Sequence, residues 1–122
     1  MSAQNGAYKV ALAAADTAGG ILSLKNTEGV DLIITKLVLN VTTKASAACT
    51  VDAGIAANGI TSADNLIDGQ DVNAAADTFG SPSGANGKPA KLWKSTEYLT
   101  ASVASGAAAG LKGDAYIEYI RV

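Results

Sequence analysis

The sequence contains no histidine and a single cysteine, Cys49. Without histidine, neither a Ser-His nor a Cys-His nucleophile pair can be assembled. With one cysteine there is no disulfide framework and no cysteine-based zinc site. Basic side chains are also scarce: nine Lys and Arg against eleven Asp and Glu, a net charge of −2 spread without runs. The electrostatic drive toward phosphates is therefore missing, and direct contact with nucleic acid is not expected. No apolar run approaches the roughly 20 residues of a membrane helix. The opening "MSAQNGAYKV" has neither a basic region nor an apolar stretch of the signal-peptide kind. The expectation is a soluble protein, made in the cytoplasm, with no membrane partner. Aromatics make up only 5% of the chain, and much of its 48% hydrophobic fraction is alanine. Alanine buries little area at about 25 cal/mol per Å², so the core is thin and association with further copies would support it.

What is present reads as β-structure. The alanine runs at 13–15, 74–76 and 107–109 are three residues long and end near Asp, Gly or Thr. No dozen residues show apolar positions at i, i+3, i+4 and i+7. The clearest strand is "DLIITKLVLNVTT", 31–43, rich in β-branched residues. Strict alternation puts Ile33, Leu37, Leu39 and Val41 on a core face. Leu32, Ile34, Lys36, Val38 and Asn40 fall on the opposite, half-apolar face, which is expected to be covered or to form a subunit contact. Tyr8, Val10 and Leu12 alternate near the start, and Ile21, Leu22 and Leu24 precede a turn at "NTEG". Cys49, Val51, Ala53 and Ile55 share a face; so do Leu99, Ala101 and Val103, and Ala115, Ile117 and Tyr119. A short strand is expected around Leu92 and Trp93. The pattern breaks between Asn58 and Pro89, which reads as a long irregular connection carrying interactions. One all-β domain over 1–122 is predicted, an antiparallel β-sandwich or jelly roll of six to eight short strands with little helix.

Candidate sites are few. "GITSADNLIDGQDV", 59–72, gathers Asp64, Asp68 and Asp71. Set against an EF-hand loop with Asp64 at position 1, Leu66 falls where the second ligand belongs and Ala75 where the glutamate belongs. The acids are instead expected to make Asx turns, with Thr61 or Ser62 free to cap one short helical turn. "GANGKP" at 84–89 fails the phosphate-loop pattern, since Pro82 stands at its first glycine and Pro89 follows the lysine. "NVT" at 40–42 lies in mid-strand. Cys49 is expected in the core. Trp93, between Lys91 and Lys94, is either a core residue or a partner-anchoring aromatic. No catalytic, cofactor or metal site is expected, and the chain is not expected to be an enzyme.

The order of segments carries a resemblance. "NTEGVDLIITKLVLNVTTKASAACTVDAGIA", then "TSADNLIDGQDV", then "GKPAKLWKSTEYLTASVASGAAAGLKGDAYIEYIRV" resembles small virion structural proteins of tailed bacteriophages. The resemblance covers about residues 20–122 and rests on ordinary β-sheet residues. It implies a capsid decoration, or cement, protein on the outside of the head. Its partners would be the major capsid protein and further copies of itself, as a trimer or dimer. "TSADNLIDG" would then be an ordered segment with Leu66 and Ile67 turned inward. The contact residues would be Leu32, Ile34, Val38, Trp93 and Tyr98. Alternatives are a receptor- or glycan-binding module of the tail or a fibre, using Trp93, Tyr98 and the 58–89 connection, and a small coat protein.

Overall fold

The computed structural model describes residues 4–122, and among these no helix forms. Nine strands are present: β1 (Asn5–Ala11), β2 (Leu22–Lys25), β3 (Leu32–Thr43), β4 (Cys49–Ala56), β5 (Ile67–Asp71), β6 (Thr78–Gly80), β7 (Lys91–Trp93), β8 (Tyr98–Gly106) and β9 (Lys112–Arg121). They make two antiparallel sheets. One runs β1-β9-β3-β6, with β7 also on β3; the other runs β2-β8-β4-β5. The two inner faces enclose one apolar cluster that includes Leu37, Leu39, Val51, Leu66, Trp93, Leu99 and Ile117. The all-β sandwich is the fold that the alternating sequence predicts, with nine strands where six to eight were expected, because β5 and β6 form within the segment read as irregular.

Two expectations are corrected. The first concerns 58–89, which is not one irregular connection. It contributes β5 to the edge of one sheet and β6 to the edge of the other. Both are short and rich in Asp, Gly or Thr, so neither carries a propensity signal; their order comes from pairing with β4 and β3. No helical turn forms over 61–67.

The second concerns the faces of β3. Leu32 and Ile34 are fully buried, as are Leu37, Leu39 and Val41, whereas Ile33 is only half-buried. The reason is a bulge. Ile34 pairs with Tyr119 and Lys36 with Glu118, leaving Thr35 as an extra residue. One inserted residue reverses the parity of everything before it. Leu32 and Ile34 are thus core, and Ile33 faces outward with Val38. Deleting Thr35 would bring the β3–β9 pairing into one uninterrupted register here while keeping every core residue on its face. The shortened protein is expected to fold and to melt within about 5 °C of the parent; loss of its far-UV β signal would show that the bulge is required.

The turn into β3 is built by Asn26, which is 2% exposed. Its amide Nδ2 donates to the carbonyls of Val30 (2.9 Å) and Trp93 (3.0 Å), while its Oδ1 accepts from the Glu28 N–H (2.9 Å). This is an Asx turn that also ties the corner to β7. Gly29 completes it at φ 76°, a conformation that favours glycine.

Candidate interaction surface

The outer face of the β2-β8-β4-β5 sheet is largely roofed by the chain itself. The Gly19 N–H donates to Ser102 Oγ (2.7 Å), Thr100 Oγ1 donates to the Thr61 carbonyl (2.8 Å), and Ser23 Oγ donates to the Gly59 carbonyl (3.0 Å). Two loops, 13–20 and 57–62, therefore lie over this face and bury Thr100 and Ser102. Tyr98 belongs here, its ring packed beside Gly59.

The acidic residues occupy one margin of the same sheet, where they serve turns and loop anchors. Asp71 Oδ1 accepts from the N–H groups of Asn73 (2.8 Å) and Ala74 (3.2 Å), an Asx turn as expected. Asp68 accepts from the Asn86 N–H (3.1 Å), Asp64 from the Asn86 amide (2.9 Å), and Asp52 from the Gly69 N–H (2.8 Å). Burial, then the nearby charges of Asp68 and Asp64, push the Asp52 carboxyl above its ordinary range, against the Gly69 bond that pulls it down. Asn65 bridges to β4 instead of making an Asx turn. Its side-chain amide accepts from the Ile55 N–H (2.8 Å) and donates to the Ile55 carbonyl (3.0 Å), docking the segment on β4. Leu66 and Ile67 turn inward and are fully buried. Among the described residues, no three acidic or cysteine side chains come together in a way that would hold a metal ion.

The other sheet is open. Its outward residues line up in cross-strand rows. One row is Asn5, Ile120, Ile33 and Leu92; the next outward position pairs Ala7, Glu118 and Lys36; a third row is Lys9, Tyr116, Val38 and Gly80. Tyr116, Ile120 and Leu92 are 39–40% exposed. The Lys9 ammonium lies 5.8 Å from the centre of the Tyr116 ring, a cation–π arrangement. Aliphatic and aromatic groups thus form two rows across the sheet, with the charged Glu118 and Lys36 in the row between them, Lys9 at one end, and a polar row of Ala11, Asp114, Asn40 and Thr78 beyond.

Under the β1 edge of this sheet lies a polar corner. Arg121 Nη2 bonds Glu28 Oε1 (2.6 Å), and the Tyr8 hydroxyl donates to the same carboxylate. Tyr8 stacks on Tyr119 with ring centres 5.0 Å apart and meets Trp93 edge-on at 6.3 Å. The Tyr8 and Arg121 bonds hold the Glu28 carboxyl below its usual value of 4.5, while burial and the Glu28 bond raise the Tyr8 phenol. A lowered carboxyl stabilises the fold above pH 4.5, and that contribution disappears as pH falls through the folded value. Glu28→Gln is therefore expected to melt below the parent at pH 7, with the gap closing below pH 4.5; a gap constant from pH 7 to 3 would contradict this.

The sequence-predicted contact residues do not converge. Leu32, Ile34 and Trp93 are in the core, each 0% exposed. Trp93 is spent internally, its Nε1–H donating to the Glu97 carbonyl (2.9 Å). Val38 and Tyr98 lie on opposite outer faces. Cys49 is buried, as expected, and burial raises its thiol. Of the residues that make the open face, Tyr116 and Ile120 were legible from the alternation of β9. Ile33 was hidden by the bulge, and Leu92 by the three-residue length of β7.

No family model matches the chain, and no curated protein matches its sequence. A comparison of folds is more informative. Aligned over 97% of this chain and 84% of the other, it superposes on a chain from the capsid of Ralstonia phage GP4 with a TM-score of 0.67 at 18% identity. The fold is that of a phage capsid chain. At this identity the likeness concerns the backbone architecture, which agrees with the β-sandwich that the sequence resemblance implied.

Proposed function

We propose that this protein is a non-enzymatic virion structural protein, a capsid decoration protein bound as an oligomer to the major capsid protein on the outside of the head. The observation that carries the proposal is the unequal treatment of the two sheets. The chain roofs one outer face with its own loops and leaves the other, with Ile33, Val38, Leu92, Tyr116 and Ile120, uncovered. An open face on which two apolar rows flank paired charges has the mix of apolar and polar groups of a protein–protein contact. Likeness of fold to a phage capsid chain supports a place in the virion, although a sandwich by itself serves many roles. The tail or fibre reading draws less support, because Trp93 is enclosed in the core and cannot stack on a sugar.

Gold-labelled antibody against this protein, applied to intact particles of its source and viewed by electron microscopy, tests the assignment. Regular label over the head in high copy is expected. Label confined to the tail tip would transfer the protein to the receptor-binding role, and the absence of label from every particle would overturn both.

A further inference from the structure

Strand β1 ends its sheet and, at seven residues, is the longest strand at a sheet edge; β2 has four, β5 five, β6 and β7 three each. The β5 edge is tied to Ser83, which accepts from the Asp68 N–H (2.8 Å) and donates to the Leu66 carbonyl (3.2 Å). Such a tie is missing from the central stretch of β1. The bond from the Leu12 N–H to the Gly113 carbonyl (2.9 Å) sets the alternation. Gly6, Tyr8 and Val10 exchange backbone bonds with β9, while Ala7, Lys9 and Ala11 turn their N–H and C=O groups to the free edge. Among the described residues, none bonds those six backbone groups. A free edge of this length is a template for another strand.

We infer that β1 pairs antiparallel with β1 of a second copy, about a two-fold axis beside Tyr8. Charge complementarity selects this occupant and this register. Laying 5–11 on 11–5 uses the whole strand and sets Lys9 opposite Ala7 of the second copy. Behind that Ala7, in the same row, stands the second copy's Glu118, since Ala7 and Glu118 are paired in the fold. Lys9 and the opposing Glu118 are then two strands apart, about 10 Å between backbones, with only a methyl group between them. Extended lysine and glutamate side chains close that gap, twice per dimer. The register that sets Lys9 against Lys9 is excluded by like charge. Pairing joins the two open sheets into one continuous surface, so the apolar rows of both copies face the same way.

This inference deepens the oligomeric part of the proposed function. Mass in solution is read without any particle, so its failure is distinguishable from failure of the head assignment. Sedimentation equilibrium on the parent, Ala7→Pro, Lys9→Glu and the exchanged pair Lys9→Glu with Glu118→Lys tests it. The parent is expected at twice the chain mass. Ala7→Pro removes an N–H that has no partner among the described residues, so it is expected to be monomeric while keeping the far-UV β signal of the parent. Lys9→Glu should weaken the dimer about tenfold at low salt, and the exchanged pair should restore it. A monomeric or trimeric parent, a dimer that persists in Ala7→Pro, or no recovery in the exchanged pair would overturn the inference. Should Ala7→Pro fail to fold, the charge exchange decides alone.

Discussion

Ile34→Glu is expected to unfold the protein at neutral pH, whereas Val38→Glu leaves it folded. The two positions lie four residues apart on one strand and would share a face if its alternation were strict. Ile34 is 0% exposed and packed inside the sandwich; Val38 is half-buried on the open face. A carboxyl at position 34 must either be buried charged or be held neutral. Holding it neutral at pH 7 costs roughly 4 kcal/mol against an ordinary pKa near 4.3. Loss of the isoleucine side chain adds about 2 kcal/mol. That sum exceeds the lower end of the roughly 5–15 kcal/mol that holds a domain of this kind together. Because the penalty lies in keeping the proton, it shrinks as pH falls toward the unfolded pKa. The Ile34→Glu protein should therefore regain structure between pH 7 and 4.5. Circular dichroism melts across that range check the prediction, and an Ile34→Glu protein as stable as the parent at pH 7 would show that position 34 is not core.

Trp93→Ala has the next largest expected effect, a loss of about 3–5 kcal/mol. For a chain of this size that is a fall of roughly 10–20 °C in melting temperature. Trp93 is the largest fully buried side chain, and three things depend on it. It fills the space beneath Tyr8, it gives the Glu97 carbonyl a second hydrogen bond beside that from the Asn26 N–H, and its own carbonyl receives the Asn26 side-chain amide. The first two are lost with the ring, and the cavity left behind opens under the Tyr8–Glu28–Arg121 corner. Urea denaturation measures the loss directly. A variant that melted with the parent and had lost binding to a host glycan would return Trp93 to the surface role considered from its sequence neighbours.

Much of the architecture was legible because alternation is a physical requirement of a strand with one wet face. Tyr8 and Val10, Val51 and Ala53, and Ala115, Ile117 and Tyr119 sit where period two puts them, and the core follows from their faces. The lack of any helical period in an alanine-rich chain predicted little helix, and among the described residues none forms. The turn role of Asp71 was legible because Asx turns are local, whereas the inward Leu66 and Ile67 were implied only by the resemblance of the "TSADNLIDG" segment. The open face was only half legible: β9 announced Tyr116 and Ile120, but nothing local announced that Ile33 joins them.

The sequence by itself determined the class of fold, most strand cores and the absence of histidine- or disulfide-based chemistry, because composition and short-range periodicity act within a few residues. Only the tertiary structure decided the rest. One extra residue at Thr35, accommodated because β9 pairs on both sides of it, changed which half of β3 faces water. β5 and β6 exist because β4 and β3 offer them backbone partners across the sheet. Loops 13–20 and 57–62, distant in sequence, meet over one face through the Gly19 and Thr61 bonds and leave the outer face of the opposite sheet without such a cover among the described residues. Each of these outcomes depends on a pairing between residues far apart in the chain, and no periodicity within a segment records its partner.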